Sequence, residues 1–339
     1  MRTRTALLTV TAILIAASLA ALMPVQAQNK GRLNPMIALH EKGLPVFGVT
    51  HPAISVGQRG FRGGGQTPPP APDSPPATPP QPVLADVARE TMAYKFSDFE
   101  YDSFSPTTAE RFMGYMAAML AAGGTMRTHA YIAKIPIFHT NPEVATARIV
   151  DQLNAGQTGV FMQEVETGDE IRQTVAAMRF RSKGGTRPEE GIGLAAAYWG
   201  LTPAQYIQKA DVWPLNKDGE LVVYAIVESK KGIANVREIA ATPGVTALVV
   251  GAGTLGGVFS TTNPDGQRVR DQAGFDTGVA AILAACKEFK IPCSHPANNP
   301  AEIERLMGMG FKIFTMQSRN QAAFDAVETG RRLSGRFGQ

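Results

Sequence analysis

Cysteine is nearly absent from this chain. Cys286 and Cys293 are the only two in 339 residues, so a disulfide framework cannot hold the fold and an apolar core must do so. Aromatic residues are scarce at 7%. Charge of one sign is also lacking: 33 Lys and Arg stand against 29 Asp and Glu, a formal +4 that includes Arg2 and Arg4 of a leader expected to be removed. So mild an excess argues against an electrostatically driven nucleic-acid binder. Beyond the leader, no run is long and apolar enough to span a bilayer, so no membrane association is expected past that segment.

The leader itself is distinctive. Residues 1–27 carry Arg2 and Arg4, an apolar run from Ala6 to Met23, then Pro24 and the small-residue pattern Val25-Gln26-Ala27. That order reads as a secretory signal and predicts a periplasmic or extracellular protein, the other reading being an uncleaved anchor. From Gln58 to Pro82, nine prolines and four glycines fall within 25 residues. This composition predicts a disordered or polyproline-like insertion, either a lid or tether or a tolerated surface loop. The domain expected around it covers 34–331, with a tail at 332–339.

Elsewhere, short apolar runs alternate with amphipathic stretches. Strand candidates are Leu44–Thr50, Asp98–Ser103, Tyr131–Ile137, Gly159–Gln163, Leu221–Val227, Thr246–Gly251, Ile291–Ser294 and Phe311–Met316. Helix candidates are Leu84–Ala93, Thr107–Ala121, Pro142–Ala155, Gly168–Met178, Lys231–Ala241, Phe275–Phe289, Pro300–Met309 and Arg319–Arg331, with Asn141 and Asn299 placed as caps before Pro142 and Pro300. Eight strands each followed by a helix predict a (β/α)8 TIM barrel, with a doubly wound open sheet as the competing architecture.

In a barrel, chemistry collects where strands end. Glu228, after an apolar strand, reads as a metal ligand or substrate contact, or else as a structural ion pair with a nearby cation. Lys134 reads as a carboxylate anchor, a buried ion pair with Glu100 or Glu164, or a Schiff-base lysine. His51, His139 and His295 also follow strands and, with Glu164 and Glu228, would suit a separate metal site; each reads equally as a loop histidine bonded to backbone. Glu164 and Glu166 read as paired carboxylates, or Glu166 as a first-turn helix acid. The glycines from Gly251 to Gly257 offer backbone N–H groups to an anion, at Gly253 and Thr254 in particular, or form a tight loop. Cys286 and Cys293 read as buried thiols, Trp199 and Trp213 as core or interface residues, and Arg331, Arg332 and Arg336 as a solvated tail.

Several segments, in order, resemble the HpcH/HpaI aldolase and citrate lyase family: Leu44-Pro45-Val46-Phe47-Gly48, Leu153 to Val160 leading to Val165-Glu166-Thr167, Tyr206 to Ala210, Ala225-Ile226-Val227-Glu228, Pro243-Gly244-Val245, and Gly251-Ala252-Gly253-Thr254-Leu255. The resemblance covers about residues 34–330. It implies a barrel whose strand-five Glu, here Glu228, and an Asp after strand six hold Mg2+ or Mn2+, with an Arg ending strand three opposing enolate charge and a His after strand two moving protons. Thr254 stands at the Asp position, Lys134 at the Arg position and Ile226 at a family Gln, and Asp102-Ser103-Phe104-Ser105-Pro106 contains no His. Arg187, in Gly184-Gly185-Thr186-Arg187, matches a family loop that approaches the substrate. The implied function is carbon–carbon lyase chemistry, of aldehyde-lyase or oxo-acid-lyase type, on a small 2-oxo or dicarboxylic acid through a metal-stabilised enolate, in a homo-oligomer. The alternative is an inactive or repurposed barrel that binds a small carboxylate or a protein partner.

Overall fold

In the computed structural model, residues 31–55, 80–102 and 108–336 are described. Residues 1–27, expected to be a signal, and nearly all of the Pro/Gly-rich insertion lie outside them, as does 103–107, around which the resemblance places a family His. The described residues from Leu33 onward form one compact unit.

Eight parallel strands close on themselves: β1 (Val46–Thr50), β2 (Phe99–Tyr101), β3 (Tyr131–Ile135), β4 (Gly159–Met162), β5 (Val222–Val227), β6 (Ala247–Val250), β9 (Cys293–Pro296) and β10 (Ile313–Met316). Closure is made by β10 against β1, with Val46 opposite Ile313 and Gly48 opposite Thr315. A separate antiparallel hairpin, β7 (Ser260–Thr262) and β8 (Arg268–Arg270), interrupts the series after β6. This is the TIM barrel expected from sequence. Runs such as Val222–Val227 are apolar because both faces of each strand are covered, while β2, β3 and β9 carry Glu100, Lys134, Ser294 and His295.

Alternation sorts the side chains into two cores. Val46, Phe99, Tyr101, Ile132, Phe161, Val222, Tyr224, Ile226, Ala247, Val249 and Ile313 fill the lumen. Phe47, Val49, Tyr131, Ala133, Ile135, Val223, Ala225 and Val227 face the helices. The first helix, α1 (Pro35–Glu41), plugs the lumen at the N-terminal ends of the strands with Met36 and Ile37. There His40 stacks on Trp213 with ring centroids 6.1 Å apart and bonds the Tyr224 hydroxyl at 2.8 Å; burial pushes its pKa down to about 4. With one end sealed, only the C-terminal end is open for chemistry.

The helices around the barrel are α2 (Leu84–Ala93), α3 (Ala109–Ala121), α4 (Pro142–Asn154), α5 (Gly168–Met178), α6 (Gly193–Trp199), α7 (Pro203–Lys209), α8 (Lys230–Ala234), α9 (Val236–Ala241), α10 (Ala252–Val258), α11 (Gln272–Phe289), α12 (Pro300–Met309) and α13 (Gln321–Leu333). Asn141 and Asn299 cap α4 and α12 through their side chains, as their position before proline predicts.

Four expectations are corrected. The helix expected at Lys231–Ala241 is broken at Asn235, whose side chain instead donates to Glu166 O at 2.8 Å. The strand expected at Ile291–Ser294 starts later, because Ile291 N bonds back to Cys286 O to close α11. Cys286 and Cys293 are bonded as a disulfide, with Cα atoms 5.7 Å apart; that same turn brings the last turn of α11 against the first residue of β9. Arg331 and Arg336 are not a solvated tail: both are buried on Asp98, which also accepts from Phe47 N. Of the three, only Arg332 is exposed.

Candidate active site

At the open end, the inward positions one step beyond the apolar lumen are polar. Lys134 follows Ile132 in the inward series of β3 and is paired in register with Phe161, so its side chain faces the lumen, half-buried. Glu228 follows Val222, Tyr224 and Ile226 in the same way on β5. Its Oε1 accepts from the backbone N–H of Glu164 at 3.1 Å, and the Thr254 hydroxyl lies close enough to influence the same carboxyl. Burial raises the Glu228 pKa above the ordinary carboxylate value; Thr254, Lys134 and the Glu164 N–H pull it back, and the Glu164 carboxylate raises it further.

Two backbone features hold Glu228 there. Glu164 adopts φ +48°, left-handed geometry that costs a non-glycine residue roughly 1 kcal/mol; it ends β4 in a sharp turn and presents its N–H across to β5. Gly251, where β6 ends, lies directly against Glu228: a Cβ on Gly251 would sit 2.5 Å from Glu228 Oε2. Gly251 to Gly256 spells Gly-x-Gly-x-x-Gly, but on a closed barrel it builds α10 rather than a dinucleotide turn. The expectation of a tight loop at Gly251–Gly257 is therefore replaced by a short helix. It carries Thr254 half-buried toward Glu228 and leaves Gly253 exposed.

Other expected site residues lie apart. Glu166 turns away from Glu164; it pairs with Lys231 at 2.9 Å and accepts from Ser229 at 2.8 Å, and the Lys231 bond, the largest influence, lowers its pKa. His51 points out of the barrel between Tyr115 and Tyr131, both at 5.4 Å, with Nε2 3.6 Å from Asp102. His139 pairs with Glu170 at 3.2 Å. His295 also faces outward, against Phe311, with Nδ1 bonded to Pro296 O at 2.7 Å; burial lowers its pKa. None of these histidines joins Glu228, and among the described residues no three His, Cys, Asp or Glu side chains are grouped as a metal would require.

The expected substrate contact at Arg187 is corrected to a structural one. Its side chain is fully buried at the end of α4, bonded to Asn154 Oδ1 at 2.8 Å and the Tyr206 hydroxyl at 3.0 Å and lying over Phe180. That is the sealed end of the barrel. Conversely, Ser294 was not singled out from sequence: it faces the lumen between Val249 and Ile313, and its buried hydroxyl has no hydrogen-bond partner. Its signal was the alternation Cys-Ser-His-Pro, which puts a small polar group inward.

The divalent ion implied by the resemblance can be tested against these donors. Mg2+ and Mn2+ favour six oxygens with carboxylates prominent. Glu228 offers a carboxyl with one oxygen already bonded to an N–H, Thr254 a neutral hydroxyl, and Lys134 an opposing positive charge. Glu164 adds one further carboxylate nearby. This set does not fit a tightly held divalent ion.

Comparison with known proteins agrees with the barrel. A hydroxypyruvate/pyruvate aldolase of Paraburkholderia phytofirmans is 29% identical over 152 residues, covering 41% of this chain and 55% of that protein. A 5-keto-4-deoxy-D-glucarate aldolase of Salmonella newport is 28% identical over 190 residues, covering 53% and 62%. The chain thus spans a little over half the length of these curated relatives. Among solved structures, an HpcH/Hpal aldolase/citrate lyase family protein of Burkholderia cenocepacia J2315 superposes with a TM-score of 0.59 at 21% identity, covering 84% of this chain and 92% of that one. An HpcH/HpaI aldolase of Desulfitobacterium hafniense DCB-2 gives 0.58 at 16% identity over 85% and 92%. At such identities these two show the shared fold. The defining pattern described as HpcH/HpaI aldolase/citrate lyase matches residues 126–314, more than half of the chain, and the protein belongs to that family.

Proposed function

We propose that this protein is an aldolase-type carbon–carbon lyase acting on a small 2-oxo acid at the open end of its barrel. The observation that carries the reading is that the Lys134 ammonium and the Glu228 carboxyl both stand at the mouth of a largely apolar lumen, within electrostatic reach of each other. The aldolase relatives support the same chemistry.

The reaction needs a proton carrier and a partner for enolate charge. In the cleavage direction, Glu228 takes the proton from the hydroxyl of a 4-hydroxy-2-oxo acid and the C3–C4 bond breaks. The electron pair moves onto the C2 oxygen as an enolate, and an aldehyde leaves. Lys134 opposes the enolate charge as a point charge, without the two-pronged geometry of an arginine. The protonated Glu228 then returns its proton to C3. Its raised pKa suits both halves, because a buried carboxyl exchanges a proton nearer neutrality than an exposed one does. The Glu164 N–H fixes its orientation. No step is assigned to a metal; the donor set predicts that added Mn2+ or Mg2+ is held weakly.

Thr254 in place of a second carboxylate favours one other reading, a barrel that binds small carboxylates without turnover. Solvent-deuterium exchange at the pyruvate methyl, followed by NMR, separates the two. Exchange lost in Glu228→Gln supports the lyase; carboxylate binding without exchange at any metal concentration supports the binder. We further propose that residues 1–27 direct export and that the barrel assembles as a homo-oligomer, on the strength of the leader's composition and of the family resemblance respectively.

A further inference from the structure

Between β6 and β9 the chain departs from simple strand–helix alternation to form the β7–β8 hairpin, which packs on α10 at the open end of the barrel. Arg268 and Arg270, two apart on β8, project on the same side of it. Nη2 of Arg270 lies 2.6 Å from where a Cβ on Gly256 would be, and Nη2 of Arg268 lies 2.7 Å from the Cβ position of Gly257. Only glycines on α10 let both heads settle so closely.

Gly257 is one helical turn beyond Thr254, and residues three apart on a helix stand about 5–6 Å from each other. The Arg268 head therefore sits about one turn from Thr254, the α10 side chain that influences the Glu228 carboxyl. Arg270 rests against the Phe275 ring at 5.2 Å, and Lys230, two residues after Glu228, lies over Phe259 at 5.7 Å. Aromatic faces orient such cations without neutralising them. Among the described residues neither arginine has a carboxylate partner at ion-pair distance. The adjacent Asp271 is engaged in capping α11 through Gly274 N at 2.9 Å, and Asp276 accepts from Gln272 at 2.8 Å. Both arginines are exposed, so neither holds the core.

We infer that Arg268 and Arg270 form an anion-receiving rim that selects substrates bearing a second negative group, carboxylate or phosphate, beyond the 2-oxo acid moiety. The inference rests on the lyase reading for where that moiety sits. Guanidinium forks match both oxyanions in two-pronged fashion, and a rim without internal carboxylates is free to do so.

The test is titration calorimetry on the full protein with pyruvate, 2-oxoglutarate and 3-phosphohydroxypyruvate. It compares wild type, the double variant Arg268→Gln/Arg270→Gln, and Arg237→Gln, a surface control on α9. The expected result is tighter wild-type binding of the two doubly anionic compounds. The double variant should lose about fivefold or more for them and nothing for pyruvate, and the control should match wild type. A loss confined to one compound supports the rim and names the anion it takes. Equal wild-type binding of all three, or a preference that survives in the double variant, overturns the rim. Pyruvate methyl exchange is measured on the same samples: if it persists while the preference is absent, the rim fails and the lyase stands. If the preference is present without exchange, the lyase fails and the rim stands.

Discussion

Gly251 and Glu228 share one space: the glycine at the end of β6 has its Cα face against the carboxyl that ends β5, leaving no room for a methyl group. Gly251→Ala is therefore expected to swing Glu228 out of place while the barrel persists. Pyruvate methyl exchange should fall by about a hundredfold, on the scale of misplacing a catalytic group by an ångström. Thermal unfolding should shift only a few degrees. Exchange retained at near wild-type rate, with the variant folded, would show that Glu228 is not held by this contact.

A pH dependence follows from two buried carboxyls. Burial raises Glu228, and burial pushes Glu100 up to about 7 against the opposing Arg319, 3.3 Å away. An acid with a raised folded pKa holds its proton more tightly in the native state. Its contribution is therefore greatest below the ordinary value of 4.5 and declines as pH rises, for Glu100 through about 7. Unfolding temperatures measured from pH 4 to 8 should show Glu100→Gln gaining on wild type as pH increases. A gain that instead grew toward acid would reverse the sign of this account.

Asp98 ties the C-terminal segment to β1, taking Phe47 N, Arg331 and Arg336 on one buried carboxylate, while Arg336 also donates to Pro45 O at 2.7 Å. Removing the acid strands two buried guanidinium groups. Asp98→Asn should cost about 3–5 kcal/mol in urea unfolding. A loss below about 1 kcal/mol would mean that the arginines are solvated after all.

The disulfide closes a short loop, seven residues apart in sequence. Chain-entropy reasoning gives about 2–3 kcal/mol for a loop of that size. Cys286→Ser/Cys293→Ser should therefore lower the urea midpoint measurably, yet leave a folded barrel with unchanged far-ultraviolet circular dichroism. Global unfolding of that variant would make the bridge, rather than the two apolar cores, the main support.

What could be read from sequence followed physical periodicity. All eight barrel strands were placed, because strands covered on both faces leave unbroken apolar runs such as Val222–Val227. The placement of Glu228 and Lys134 at inward positions near strand ends is legible because the alternation of β5 and β3 sets it. The misplacing of Arg187, Arg331 and Arg336 came from long-range contacts, which no local pattern encodes. Arg187 sits in a loop whose burial depends on Tyr206 and Asn154, and Arg336 is one residue in a polar stretch until Asp98 meets it. His51, His139 and His295 were grouped because each follows a strand, but His51 and His295 occupy the outward half of the alternation and His139 is drawn to Glu170. The α6–α7 segment and the β7–β8 hairpin are not legible in the sequence: two helices of seven residues are too short to show a period, and two largely exposed strands of three residues carry no apolar alternation.

The central claim, that Glu228 is a proton carrier set opposite Lys134, is tested most directly by following deuterium incorporation at the pyruvate methyl in metal-depleted buffer. Wild type, Glu228→Gln and Lys134→Met are compared, each verified as folded. The account predicts exchange in wild type without added metal, its abolition in Glu228→Gln, and a drop of at least tenfold in Lys134→Met. Exchange that proceeds undiminished in Glu228→Gln, or that occurs in none of the three while carboxylates still bind, would contradict it.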